Sequence, residues 1–221
     1  MDSNYKAIVK MQDANPGLQY AIIDIQGNDG GSSEYIGTIF EALPSGKEIK
    51  LDVIMALRGG ELCENLLRQD TWLSSKQDIS HLPALPHYPP ELKEHFAKFG
   101  VFEFDFPAVT QGKILKKYLL VNRYVFSSTE QLAAICKASG YATIVGSRTG
   151  GDGFMVDPLY ITLPNSGMVF GMSVSMGLNP DGSSENEAKT MPDYIVDADN
   201  DPNAALNKAL ELIAADQINL K

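Results

Sequence analysis

An α/β fold is what this sequence predicts, because strand-like apolar runs alternate with helical patterns along most of its length. Two of those runs read as buried strands, 20–25, which is nearly all apolar and covered on both faces, and 117–126. Each is followed by a turn and then by a helical pattern. A further pattern near the end, with Ala204, Leu206, Ala209, Leu210 and Ile213 at helical spacing, gives one apolar face for a sheet to cover.

In order along the chain, 6–14 forms a short helix that Pro16 and Gly17 stop before the strand at 20–25. Asn28-Asp29-Gly30-Gly31 makes a turn. Ser32 or Ser33 then caps a helix running to about Leu43, with Tyr35, Ile36, Ile39 and Phe40 on one side. Residues 47–58 read as a strand and 61–68 as a helix. Between 71 and 109 lie Pro83, Pro86, Pro89, Pro90 and Pro107, all three histidines and a short helical candidate at 91–98, which together resemble an inserted cap or arm. The strand at 117–126 leads into a helix over 129–138, with Gly140 beyond its end. Residues 141–146 are strand-like. Two strands at 159–163 and 168–175 flank the turn Pro164-Asn165-Ser166-Gly167 and suit a hairpin, and Asn179-Pro180-Asp181-Gly182 is a further turn. Asp201 caps the last helix, with Pro202 at its first position.

The chain has 221 residues, enough to bury roughly 70% of its unfolded surface without metal or disulfide. Its formal charge of -10 comes from 28 acidic against 18 basic residues, and no Lys/Arg stripe interrupts it. Such a surface repels a nucleic-acid backbone, so nucleic acid is excluded as partner. Cys63 and Cys136 fall in apolar helical patterns, which favours buried thiols over a disulfide framework and leaves a single pair open. No apolar stretch reaches bilayer length, so membrane insertion is not expected. The first residues lack the layout of a secretion signal; a cleaved leader would leave the same residues, so an exported or extracytoplasmic parent stays open.

Four segments carry the chemistry: Ile23-Asp24-Ile25-Gln26-Gly27-Asn28-Asp29-Gly30-Gly31, residues 121–130, Ile144-Val145-Gly146-Ser147-Arg148-Thr149-Gly150-Gly151, and Asn179-Pro180-Asp181-Gly182 leading to Met191-Pro192-Asp193. In order and spacing they resemble the core of the S41 family of serine peptidases, the carboxyl-terminal processing and tricorn-type enzymes, over about residues 19–197. The resemblance implies a ClpP/crotonase-like core of repeated β-β-α units. It implies one core domain over 1–221 that lacks the family's upstream part, with 71–109 as an insertion.

Within that resemblance the nucleophile is Ser127, three residues before Glu130, with Ser128 as the alternative. Gly30 and Gly31 match half of an oxyanion hole, where glycines let backbone N–H groups face the charge of a tetrahedral intermediate. Ser127-Ser128-Thr129-Glu130 also has the form of a capping box, in which Ser127 and Glu130 satisfy each other's backbone N–H groups and stabilise the helix by about 0.5–2 kcal/mol.

A hydroxyl needs a base to become a nucleophile. The processing-protease branch uses a lysine where this chain has Asp152, and a carboxylate cannot act as a neutral amine base. The Gly150-Gly151-Asp152-Gly153 form is closer to the tricorn-like branch, which uses Ser, His and Glu. That branch takes its histidine from a segment before the first strand, and residues 1–20 contain none; His81, His87 and His95 all lie in the Pro-rich stretch. The matching glutamate is Glu185 or Glu187, with Glu187 closer to the usual gap before Pro192-Asp193. Ser127 is thus expected beside Gly30 and Gly31 with no His or Lys in hydrogen-bond reach.

Asp197, Asp199 and Asp201 imitate the start of a calcium loop. Pro202 stands where the loop needs glycine and Lys208 where it needs glutamate, so no metal and no cofactor are assigned. The function expected is a serine-type endopeptidase core acting on a peptide or protein substrate through an acyl-enzyme at Ser127. An upstream domain or a homo-oligomer stays open as partner. The alternative is a catalytically inactive peptide-binding or assembly domain of the same fold without the general base.

Overall fold

Pro16 and Gly17 stop helix α1 (Ser3–Ala14), and the apolar run beyond them forms strand β1 (Tyr20–Asp24), both close to the bounds the sequence predicts. The computed structural model describes residues 3–67, 74–110, 112–156 and 158–219. Helix α2 (Glu34–Ala42) follows, and of the two candidate caps it is the Ser32 hydroxyl that accepts the Glu34 N–H, at 3.3 Å. Next come β2 (Ile49–Leu57), α3 (Glu61–Leu67) and β3 (Ser74–Asp78). Arg68 and residues 71–73, read from sequence as a helix end and the start of the Pro-rich stretch, lie outside the described residues.

The rest of that stretch holds one turn of helix, α4 (Leu92–His95), and a nine-residue strand, β4 (Lys98–Phe106). Strand β5 (Lys116–Val121) is shorter than its apolar run, because Asn122 starts a turn. Helix α5 (Ser128–Ser139) ends at Gly140, whose φ of 66 supplies the left-handed cap that glycine adopts without strain. Beyond it lie β6 (Thr143–Gly146), β7 (Leu159–Thr162), β8 (Val169–Met172), β9 (Ser175–Leu178) and α6 (Glu185–Ala188). The last elements are β10 (Tyr194–Ile195) and α7 (Ala204–Asn219), with the Asp201 carboxylate accepting the Asn203 N–H ahead of the helix.

The chain divides into two compact units. The first takes the described residues up to Leu51, then Asp105–Gly151 and those from Lys189 on. Its sheet has the order β1-β5-β6-β10 with parallel pairing throughout, as strands joined through helices require. Tyr118 and Leu120 on β5 and Val145 on β6 pack with Ala198 and with Ala205 and Ala209 of α7. Alternation sends Leu119 and Val121 to the other face. Leu119, Leu120, Val121, Ile144 and Val145 are fully buried, each stabilising the fold by about 1.5–3 kcal/mol.

Of the two lysines of this strand, Lys116 is exposed and Lys117 is buried. Its ammonium donates to the Pro44 and Leu115 carbonyls at 3.0 and 2.9 Å and lies 4.6 Å from the centre of the Tyr141 ring. Burial lowers its pKa from the ordinary lysine value.

The second unit takes Asp52–Phe104 and Asp152–Ala188. Its sheet runs β3-β4-β2-β9, with β3/β4 and β2/β9 antiparallel, and β7 and β8 form a separate hairpin. Ile79, Leu82, Leu92, Phe96 and Phe99 join Ala56 and Leu178 in its core, so the Pro-rich stretch contributes most of that cluster.

The expected architecture of repeated β-β-α units is not what forms. After β1 and α2 the next strand, β2, pairs in a different sheet, and three strands, β7, β8 and β9, follow β6 before any helix. Ile49-Lys50-Leu51-Asp52-Val53 explains the first departure. Its side chains alternate buried and exposed, which suits a strand with one wet face in an antiparallel sheet and not one enclosed between helices.

Candidate active site

The turn between β5 and α5 is held from three sides within the first unit. The Asn122 side-chain oxygen accepts the Gly27 N–H at 3.0 Å and the Tyr124 N–H at 3.2 Å, tying the turn to the end of β1. The Phe126 N–H reaches the Asn28 carbonyl at 3.3 Å, and the Thr129 hydroxyl lies 2.7 Å from that same oxygen. On the other side Gly150 donates to the Val125 carbonyl at 2.7 Å and Ser127 donates to the Gly151 carbonyl at 3.2 Å. Three of the four sequence segments therefore meet at Ser127.

Ser127 itself has φ 57 and ψ -126, a conformation that side-chain-bearing residues adopt at a cost of about 1–3 kcal/mol. A serine on a strained strand-to-helix turn is presented outward from its own backbone. The capping box does not form. Ser127 makes no side-chain cap bond, because its left-handed backbone turns the hydroxyl away from the first helical N–H groups. Glu130 does not reach back either: its Oε1 accepts the Thr190 N–H at 2.9 Å and the Thr190 hydroxyl at 2.7 Å. The Thr190 N–H also lies 2.8 Å from the Thr149 hydroxyl, so a buried network joins the first turn of α5 to the 149 turn. Glu130 is wholly buried and its Oε2 has no hydrogen-bond partner among the described residues.

Gly30 abuts Ser127. A Cβ on Gly30 would stand 2.7 Å from Ser127 Cβ and 3.2 Å from Ser127 Oγ, at a φ of 114. The Gly30 N–H is already used, donating to the Asn28 side-chain oxygen at 3.0 Å. A Cβ on Gly31, at φ 137, would meet nothing within 4 Å, and no side-chain cap from Ser127 occupies the N-terminus of α5. A cavity of about 270 Å³ opens next to them, walled by Gly30, Gly31, Tyr35, Ile36, Ser128 and Leu132. Ser128 is buried as the first residue of regular helix, whereas Ser127 is half-buried at the turn. Its hydroxyl makes no hydrogen bond to a described residue.

The remaining candidates belong to the second unit. Glu185 is buried and its Oε2 accepts the Gly153 N–H at 3.0 Å, while Glu187, on the same turn of helix, is exposed. Asp152 is half-buried at φ 67, and burial raises its carboxyl above the ordinary range. His81 closes a short 3-10 turn, the His87 N–H donates to the Asp181 carbonyl at 2.9 Å, and His95 ends α4. The first unit contains no histidine.

Asn28, Asn122, Thr129 and Thr190 organise this turn, a role that the sequence analysis assigns to none of them. Asn28 had a readable signal, since an Asn two residues before a Gly favours a side-chain-to-backbone turn. The others act across 95, 101 and 60 residues, and no local pattern announces that.

A family model described as peptidase family S41 matches residues 2–196. Among solved structures, mature CPAF complexed with lactacystin aligns with a TM-score of 0.60 at 17% identity, covering 100% of this chain and 49% of that one. Mature CPAF alone gives 0.55 at 15%, covering 88% and 43%. The photosystem II D1 C-terminal processing protease gives 0.50 at 19%, covering 89% and 40%. The chain spans less than half the length of these proteins. The likeness is one of fold, and the shared mixed α/β sheet architecture stands in place of the repeated β-β-α core. A comparison with curated proteins finds no match.

Proposed function

The chain belongs to peptidase family S41, and from that membership we propose that it is a core segment of a serine-type endopeptidase with Ser127 Oγ as nucleophile. Family membership supports a proteolytic role. The observation that carries the reading to one residue is the Ser127 backbone at φ 57, with its hydroxyl withheld from the helix cap and Gly30 packed against it.

Ser127 Oγ attacks the carbonyl carbon of a peptide or protein substrate, and its proton passes to a general base. The Gly31 N–H and the N-terminus of α5 receive the negative charge on the carbonyl oxygen. The C–N bond breaks as the amine leaves with a proton, and water then hydrolyses the ester on Ser127. The cavity beside Gly30 and Gly31 takes an apolar side chain of the substrate.

One observation favours the second reading, a peptide-binding or assembly domain without turnover. The Ser127 hydroxyl has no hydrogen-bond partner among the described residues, and without a base such a site keeps its groove and donors while losing orders of magnitude in rate.

A fluorophosphonate probe tests both. Stoichiometric labelling lost in Ser127→Ala supports the peptidase. No labelling, with unfolded peptides still bound in isothermal titration, supports the binding domain. Labelling unchanged in Ser127→Ala removes Ser127 from either account.

A further inference from the structure

We propose that Tyr35, held in place from α1 by Asn4, determines the specificity of the cavity beside Ser127, and that this cavity takes one uncharged aromatic or branched aliphatic side chain of a peptide. The inference deepens the proposed function and rests on Ser127 as the reacting residue for which bond is cut, although the preference itself needs no turnover.

Size sets the first limit. The cavity measures about 270 Å³, whereas a drug-sized ligand is enclosed in about 300–1,000 Å³ and a cavity of about 150 Å³ lined by aliphatic side chains already holds benzene. One large side chain therefore fits, and two do not.

Chemistry sets the second. Among the described residues no Asp, Glu, Lys, Arg or His lines the cavity, and its floor is made by the buried Ile25, Ile36 and Leu132. Of the polar side chains around it, Asn28, Ser32 and Thr129 already accept the Gly30, Glu34 and Phe126 N–H groups at 3.0, 3.3 and 3.2 Å. An entering charge would lose its hydration and meet no opposite charge, whereas an apolar side chain gives up only wet apolar surface.

Tyr35 differs from the floor residues. It is 51% exposed on the first turn of α2, so its ring stands at the mouth of the cavity. Its hydroxyl is tied down: the Asn4 side-chain amide donates to it at 2.7 Å across 31 residues. Asn4 lies in the first turn of α1, and near the other end of that helix the Gln12 side-chain amide donates to the Ala42 carbonyl, the last residue of α2, at 2.6 Å. Two amides thus lay α1 along α2, and one of them fixes the Tyr35 ring. A fixed ring bounds the entry and offers an arriving side chain an aromatic face without losing rotamer freedom on binding.

The test is methyl NMR on the Ser127→Ala chain, in which no acyl-enzyme forms, titrated with acetyl-Ala-Ala-X-amide peptides where X is Phe, Leu, Ala or Lys. Saturable shifts of the Ile36 and Leu132 methyls are expected with Phe and Leu, at dissociation constants at least about fivefold below that of the Ala peptide, and none with Lys. Tyr35→Ala should erase most of that preference. Asn4→Ala and Tyr35→Phe each break the bond between α1 and the ring. Either should raise the Phe peptide's constant by about two- to fourfold, and the double variant should do no more than either alone, with unchanged methyl shifts elsewhere confirming the fold. Equal binding of the Lys peptide, methyls that do not move, or a preference that Tyr35→Ala leaves intact overturns the proposal. Fluorophosphonate labelling of the unsubstituted chain reads Ser127 separately. Silence there with the preference intact removes turnover and leaves the pocket standing, whereas labelling without the preference removes the pocket and leaves Ser127.

Discussion

Gly30 lies so close to Ser127 that residue 30 has no room for a side chain. A methyl on Gly30 would meet Ser127 Cβ at 2.7 Å and the Phe126 carbonyl oxygen at 3.0 Å, whereas a methyl on Gly31 would meet nothing within 4 Å. Gly30→Ala is expected to destabilise the fold by about 2–5 kcal/mol, combining crowding with left-handed strain, and Gly31→Ala by about 1–3 kcal/mol from strain alone. Urea denaturation of the two variants gives the comparison, and equal losses would contradict the contact.

Ser127 offers a contrast between a cap and a strained turn. A capping serine replaced by alanine loses about 0.5–2 kcal/mol. Since Ser127 makes no cap bond, Ser127→Ala is expected to leave stability nearly unchanged. Ser127→Gly relieves the positive φ and should stabilise by about 1 kcal/mol. Thermal unfolding of both variants measures this, and a clear loss in Ser127→Ala would restore the cap.

Among the described residues the Thr190 hydroxyl donates to Glu130, which shares the Thr190 N–H with Thr149. Glu130→Ala leaves these buried donors short of a partner and should cost about 1–3 kcal/mol. Glu130→Gln keeps an acceptor oxygen and should lose less. Amide exchange at Thr190, faster in the alanine variant than in the glutamine variant, checks the cause.

Asp152 gives a pH dependence opposite to that of a paired carboxylate. Its folded-state pKa is raised by burial, so the folded state holds its proton longer than the unfolded one. The associated stability is present below the ordinary carboxylate pKa and is lost as pH rises through the raised value. Asp152→Asn cannot ionise and tolerates the left-handed backbone. It should match the wild type in acid and exceed it at neutral pH, by a margin that solvent screening at this half-exposed side chain keeps small. Denaturation curves across that range decide, and a gap that is constant with pH would count against it.

Much of the chain was legible where local rules act. The apolar strands, the Gly140 cap and the Pro164 to Gly167 hairpin turn all reflect interactions within a few residues, whereas Asp201 and Pro202, expected as cap and first helical residue, stand in a turn ahead of a helix that begins at Ala204. The failures have two causes, a local alternation masked by the character of a longer stretch and a local rule that tertiary partners override. Lys50 and Asp52 alternate with Ile49, Leu51 and Val53, and that alternation, passed over for the apolar character of the whole run, separates an antiparallel strand from an enclosed one. Phe102-Glu103-Phe104-Asp105-Phe106 alternates just as plainly, yet the prolines before it drew the whole stretch into an irregular insertion. At the candidate site, the nearness of Gly30 to Ser127 agrees with what the family resemblance implies, but the failure of the capping box could not be read. It follows from a serine backbone turned left-handed by Gly30, Gly151 and Asn28, each remote in sequence.

The first unit is drawn from three separate stretches of chain, and this bears on how the protein is made. Strands β1 and β5 are synthesised well before α7, whose Ala205 and Ala209 cover Tyr118, Leu120 and Val145. Until those two residues emerge, that sheet face stays wet, so the nascent chain carries an exposed apolar surface after its strands have been made. The residues of the second unit have all emerged by Ala188, before α7. The unit begun later can therefore close while the one begun first still waits for its cover.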